Sequence, residues 1–137
     1  MQKTFTILKP DTVSTGKSGA VISELEKAGF RIRAMKMLHI SEAQAQGFYY
    51  VHKERPFFGS LVKFMTEGPI VAMVLEADNA IEKLRKTMGA TDPAKADAGT
   101  IRKLFGSNIE RNAIHGSDGP DTAAFEISYF FNRLEIV

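Results

Sequence analysis

The segment Asn112-Ala113-Ile114-His115-Gly116-Ser117-Asp118 gathers residue types that suit group transfer. A neutral imidazole is a good nitrogen nucleophile near neutral pH, provided an acceptor holds its second nitrogen. Gly116 leaves backbone room beside the His115 ring, and Ser117 puts a hydroxyl nearby. In the helix that follows, Glu126 lies about 60° from Ala123 on the helical wheel. That is the border of the Ala123–Ile127–Phe130 stripe, from which a carboxylate can reach back to the sheet. Residue types and spacing alone favour a structural histidine over a catalytic one. His39 and His52 carry only that plainer reading.

A second phosphate-binding signal fails on inspection. Gly16-Lys17-Ser18 is similar to the tail of a P-loop, but that loop needs a glycine five positions before Gly16, where Asp11 stands. An exposed helix entry is the better reading.

The elements that must position these groups follow from periodicity. Thr4 to Leu8 reads as a strand that stops at Pro10. Ser18 to Lys27 has Val21, Ile22 and Leu25 at helical spacing, with Gly29 as a C-terminal cap. Phe30 to Ile40 reads as a second strand. Ser41, with Gln44 three residues on, caps a helix running towards His52. Pro56 opens a short helix with Leu61, Phe64 and Met65 on one face, ended by Gly68-Pro69. Ile70 to Leu75 is a continuous apolar run, as in a central strand. Asn79 caps the helix holding Ile81, Leu84 and Arg85, and Gly89 to Arg111 is a long, weakly patterned segment of the kind that is usually functional. Ala113 to His115 forms a short strand, and Pro120 opens a last helix with Ala123, Ile127, Phe130 and Leu134 inward. The order predicts an α+β fold of the ferredoxin-like, split β-α-β class, a four-stranded antiparallel sheet covered by helices.

Composition sets the bounds. The 137 residues are expected to form a single domain, 1–137, with 44% apolar and 25% charged residues. No cysteine is present, which removes thiolate zinc sites, disulfides and cysteine nucleophiles. No segment approaches the ~18 apolar residues of a membrane span, and the N-terminal apolar run is too short for a signal peptide. A cytoplasmic protein without a membrane partner is expected. A net charge of +2 demands no polyanion, though a few focused cations can make a phosphate site.

Asn112 to Asp118 resembles the active-site signature of the nucleoside diphosphate kinase family. Leu8-Lys9-Pro10-Asp11 resembles the end of that family's N-terminal strand. Tyr49 through Leu61, with Arg55-Pro56-Phe57-Phe58, resembles its nucleotide-clamping helix pair. Arg85 through Pro93 and Gly99-Thr100-Ile101-Arg102 complete the pattern in order. Each piece alone is weak, but five in register, spanning essentially the whole chain, are highly specific.

The resemblance implies a ping-pong enzyme that passes a γ-phosphoryl group through His115, with little base specificity. By the same resemblance, Glu126 orients the ring with Ser117 close by, and Tyr49 supports the histidine side. Lys9 and Arg102 face the β- and γ-phosphates, and Arg85 and Thr91 hold the remaining ones. Phe57 stacks on the base, Leu61 lies beside it, and Asn112 with Lys9 binds the sugar. Mg²⁺ is expected to arrive on the nucleotide phosphates. Lys103-Leu104-Phe105 departs from the Gly-Asp-Phe that family members often carry here, adding a charge beside Arg102.

The chain stops at Val137 without the longer tail common in family hexamers, so a homotetramer is expected ahead of a homohexamer. Phe125 and Tyr129, off the buried stripe, are candidates to face a partner. A nucleic-acid platform is a rival that lacks the aromatic strand signature of RNA-recognition modules. A catalytically dead relative is another, opposed by the presence of His115, Lys9 and Arg102.

Overall fold

Strand β1 (Gln2–Leu8) is the axis of the architecture, in a computed structural model that describes residues 1–137. It pairs antiparallel with β3 (Ile70–Ala77) on one side and with β4 (Ile114–Gly116) on the other. Strand β2 (Arg31–Leu38) pairs antiparallel with β3, giving the order β2-β3-β1-β4. This is the ferredoxin-like α+β fold the element order predicts.

Every residue of β3 is buried. Helices cover both faces of the sheet, which explains a continuous apolar run in an antiparallel strand. On one face Phe5, Ile7, Ala72 and Val74 pack against α3 (Glu42–Phe48), α4 (Phe58–Met65) and α7 (Pro120–Phe130). On the other, Val71, Met73 and Leu75 pack against α2 (Ser18–Lys27), α5 (Ala80–Met88) and α6 (Ile101–Phe105). No helix is long and apolar enough to cross a membrane.

Local chemistry accounts for most boundaries. The Ser41–Gln44 capping box forms in both directions, at 3.1 and 2.8 Å. Pro120 takes the first position of α7, and Gly29 supplies the positive φ that ends α2. Several expectations are corrected. Pro10 does not merely stop β1; it opens the short helix α1 (Pro10–Ser14), because proline fits a first helical turn. Pro56 lies two residues ahead of α4, and the helix from Ser41 ends at Phe48 before a 3-10 turn at Tyr50–His52. Asn79 sits in the left-handed region at φ 52° and bonds to Glu82, while Gln2 Oε1 accepts from the Ile81 N–H. Leu134 is not inward: α7 ends at Phe130, and Leu134 is 93% exposed.

The second aromatic stripe of α7 is partnered within the chain. Phe125 packs edgewise on Tyr50, and the Tyr129 hydroxyl donates to the Gln44 carbonyl at 2.8 Å.

Candidate active site

Strand pairing builds the centre of the site. β4 is short, and its register against β1 sets Ile7 opposite His115 and Thr6 opposite Gly116. The Thr6 hydroxyl donates to the His115 carbonyl at 2.6 Å, locking the histidine's backbone. Its ring enters the aromatic face, edged by Phe5, Phe48 and Tyr49 with centroids 5.5–6.4 Å away. From α7, buried Glu126 meets His115 Nε2 with Oε1 at 2.8 Å, and the buried Ser117 hydroxyl donates to the same oxygen at 2.7 Å.

This arrangement sets the chemistry of the ring. The acceptor on Nε2 favours the tautomer carrying its hydrogen there, which leaves the Nδ1 lone pair free. Phe5, Phe48 and Tyr49 limit how far the ring can turn. An imidazole held in this way can act as a nitrogen nucleophile.

Just before His115 the backbone is strained. Ala113 has φ 75°, a region that residues with a Cβ rarely enter. The conformation is held from α1: Asp11 Oδ2 accepts from the Ala113 N–H at 3.0 Å, and the Thr12 hydroxyl donates to its carbonyl at 2.8 Å. The Lys9 N–H donates to the same carbonyl at 2.9 Å. The kink seats Asn112 in the interior, where it accepts from Lys9 Nζ at 2.8 Å and donates to the Thr91 and Ile109 carbonyls.

Three cations surround this strand. Lys9 is 7% exposed, and burial, aided by the Arg102 charge, lowers its pKa to about 8. Arg102 is also buried, and burial, with the Arg85 charge, brings its pKa down to about 10, so it stays charged at neutral pH. Arg102 donates to the Ile114 carbonyl at 2.9 Å and to the Gly89 carbonyl at 3.2 Å, and its buried Nε–H has no protein partner. Arg85, on α5, pairs with Asp118 at 2.8 Å and leans towards the Gly116 carbonyl. Arg102 and Arg85 thus engage carbonyls on either side of His115.

An open cleft of about 310 Å³ adjoins this cluster, lined by Lys9, Phe57, Leu61, Thr91, Ile109 and Glu110. Phe57 is half-exposed at the entry to α4, and Leu61 lies one turn further on. A wider hollow of about 910 Å³ lies beyond Arg85, edged by charged side chains such as Glu82, Lys86 and Lys95. It lacks the aromatic wall of the smaller cleft. No group of three or more acidic or histidine side chains forms a metal cage.

The description "Nucleoside diphosphate kinase" belongs to a family model that matches residues 2–136. The chain is a member of the nucleoside diphosphate kinase family. The family's curated member from Trichlorobacter lovleyi is 58% identical over all of this chain and 99% of its own length. The one from Geobacter sulfurreducens is 56% identical over the full length of both. Among solved structures, the Aquifex aeolicus nucleoside diphosphate kinase superposes with a TM-score of 0.97 at 44% identity, covering 99% of each chain. The Halobacterium salinarum enzyme, solved in complex with CDP, gives 0.95 at 40% identity over 99% of this chain and 91% of its own. The chain is therefore a kinase, of the phosphotransferase class.

Against that family background, the sequence-predicted residues fall into three groups. His115, Glu126, Ser117 and Tyr49 meet around the ring. Lys9, Phe57, Leu61 and Thr91 line the cleft with Asn112 buried behind them, bonded to Lys9 and the Thr91 carbonyl, and Arg85 and Arg102 stand beside β4. Tyr49 is buried with an unpartnered hydroxyl, and burial, reinforced by the Glu126 charge, raises its pKa strongly. The Lys103-Leu104 departure does not dislodge Arg102: Lys103 and Leu104 point outward on α6 while Arg102 points in. Residues without a role in the sequence reading are Asp11, which holds the Ala113 kink, and Ile109 and Glu110, which line the cleft. Asp11 had one signal, its place directly after Lys9-Pro10 at a strand end. Ile109 and Glu110 had none, lying in a segment with no periodicity.

Proposed function

We propose that this kinase moves the γ-phosphoryl group of a nucleoside triphosphate to a nucleoside diphosphate through phosphohistidine at His115, in ping-pong order. The observation that carries the reading is the Ser117–Glu126–His115 relay, which occupies Nε2 and leaves Nδ1 as the nucleophile. In the first half-reaction the Nδ1 lone pair attacks the γ-phosphorus while the bond to the β-phosphate oxygen breaks. The Nε2 proton stays on the ring, shared with Glu126, which stabilises the charge that develops. An incoming diphosphate oxygen then attacks the same phosphorus, the N–P bond breaks, and the neutral ring returns.

The remaining residues fit this path. A loose phosphoryl-transfer transition state asks mainly for positioning and positive charge. Arg102, with its unused Nε–H, and Lys9 supply both at the β- and γ-phosphates, the guanidinium fork suiting phosphate oxygens. Arg85 and Thr91 take the remaining phosphates. Asn112 and Lys9, already bonded to each other, hold the sugar hydroxyls. Phe57 stacks on the base beside Leu61, and Tyr49 closes the histidine side. With three cations here and no carboxylate cage, Mg²⁺ fits as an ion carried by the phosphates, where it offsets their charge. The CDP complex of the Halobacterium salinarum relative supports acceptance of a pyrimidine diphosphate.

The same reading makes the enzyme cytoplasmic, composed of one domain, and a homotetramer ahead of a homohexamer. Met35 and Met37, more than half exposed on the edge strand β2, are the kind of surface that self-association covers. Light scattering should give a mass near four times 15.1 kDa.

The deciding experiment is incubation with γ-labelled ATP. The label should survive alkali and be lost in acid, as a phosphoramidate is, and exchange onto added diphosphate. Label that persists on His115→Ala would remove the histidine from the path.

A further inference from the structure

The two walls of the cleft belong to elements that no main-chain hydrogen bond joins. Phe57 and Leu61 stand on or beside α4, whereas Ile109 and Glu110 stand on the 106–112 loop. Side chains alone set the gap between them. The Ser60 hydroxyl donates to Glu110 Oε2 at 2.7 Å. Arg111 Nη2 meets the two oxygens of Glu67 at 2.7 and 3.1 Å. The Arg111 guanidinium also lies 4.7 Å over the ring of Phe64, which is 3% exposed and fixed in the core. Ser60 and Phe64, four residues apart on α4, take two of these contacts on one face of the helix, and Glu67, in the bend just past its C-terminus, takes the third.

We propose that Glu110 and Arg111 are positioning residues that clasp the 106–112 loop to α4 and set the width of the base cleft. This rests on the phosphotransfer reading above. From inside, Asn112 holds the Ile109 and Thr91 carbonyls. From outside, the clasp holds the next two residues, so Ile109 is fixed from both directions opposite Phe57. The physical lever is stacking. A gap opened by 0.5–1 Å forfeits a quarter to a half of the dispersion well on that side. Every base has the same aromatic thickness, so the clasp contributes to binding of all of them alike.

The test is nucleotide binding and steady-state kinetics on Ser60→Ala, Glu110→Ala, Glu110→Gln and Arg111→Ala. Arg111→Ala and Glu110→Ala should raise the KM for ATP, GTP, CTP and UTP in parallel, by about threefold to tenfold, the range for losing one such contact. The saturating kcat should stay at the wild-type value. Glu110→Gln retains an acceptor for Ser60 and should raise KM less than Glu110→Ala does. Ser60→Ala combined with Glu110→Ala should cost no more than either alone. Ser60 is exposed on α4, so that variant keeps the comparison valid if Arg111→Ala folds poorly.

Unchanged KM in Ser60→Ala and Glu110→Ala would overturn the clasp. So would a KM change confined to one base, which would make Glu110 a reader of base edges. Calorimetric Kd values for ADP report on the clasp without turnover. Absence of label on the wild-type chain would instead refute the phosphotransfer reading.

Discussion

The histidine end and the base end of the site are built in contrasting ways. Around His115 four elements converge: β1 and β4 are joined by main-chain pairing, while α3 and α7 enclose the ring with aromatic edges and a buried carboxylate. At the base end, Phe57 is 47% and Ile109 is 65% exposed, and side chains alone hold the walls together. Phosphoryl transfer needs in-line geometry and charge fixed beforehand, because misplacement by an ångström is costly. Binding any base needs only a flat slot. On the proposed reading, the molecule puts its rigidity where the bond changes and leaves solvent where the substrates differ.

The largest effect that sharpens this contrast lies at the rigid end. Arg102→Ala should lower kcat by about 10²–10³, the range for removing a preorganised electrostatic stabiliser. The KM should change far less. Measurement at saturating ATP and ADP separates the two, and circular dichroism checks that the Ile114 and Gly89 carbonyls are not left to unfold the strand. A normal kcat with a large KM change would reverse the roles assigned to the two ends.

Lys9 joins the two ends and gives a pH signature of opposite sign in activity and stability. Its folded pKa is about 8 against the ordinary lysine value of 10.5, chiefly through burial. Below pH 8 the ammonium is charged and, on the proposed reading, serves the phosphates. Above it, kcat/KM should fall about tenfold per pH unit, because that parameter reports the free enzyme. Bound phosphates favour the charged form, so the kcat limb should lie at higher pH than the kcat/KM limb. For stability, the unfolded chain holds the proton up to its higher pKa, so between these values the unfolded state binds more protons. This group's contribution therefore rises with pH across that window. Lys9→Arg, always charged, should flatten the activity limb. A kcat/KM profile flat to pH 10 in the native enzyme would remove Lys9 from the phosphate site.

Why the two ends differed in legibility is physical. The histidine end is a product of strand pairing. Thr6 and His115 are 109 residues apart, yet a short apolar run, a histidine and a helix with Glu126 near its buried stripe were readable as local patterns. Pro10 misled because proline both stops strands and starts helices, and only packing decides which. Leu134 misled because an apolar residue four positions past Phe130 continues the helical rhythm after the helix itself has ended. The positive φ of Ala113 left no trace, since the residue there is not glycine and the conformation depends on Asp11 from across the fold. The loop wall was opaque because Ile109 and Glu110 obey no period; their places follow from Asn112, Ser60 and α4.

The smallest expected effect is discrimination between bases, and it tests the open end directly. Phe57→Ala should first show that the slot works by stacking. Losing one aromatic face should raise KM about tenfold for every nucleotide, within the ~1–3 kcal/mol of base–aromatic contacts, with kcat nearly unchanged. In the unaltered enzyme, ATP, GTP, CTP and UTP should then differ in kcat/KM by about tenfold or less. Purines should lead, because their larger face covers more of Phe57 and Ile109. Sharp selection needs buried polar groups left unpaired by the wrong substrate. The cleft offers one polar side chain on its rim beyond Lys9 and Thr91, the Glu110 carboxylate, and Ser60 already occupies one of its oxygens. On the proposed reading the base edge remains in water, where the wrong donor or acceptor finds a solvent partner and forfeits little. Initial rates with four donors and one acceptor suffice. A preference of several thousandfold for one base would mean that the soft wall closes on the substrate and reads its edge, and the contrast between the two ends would fall.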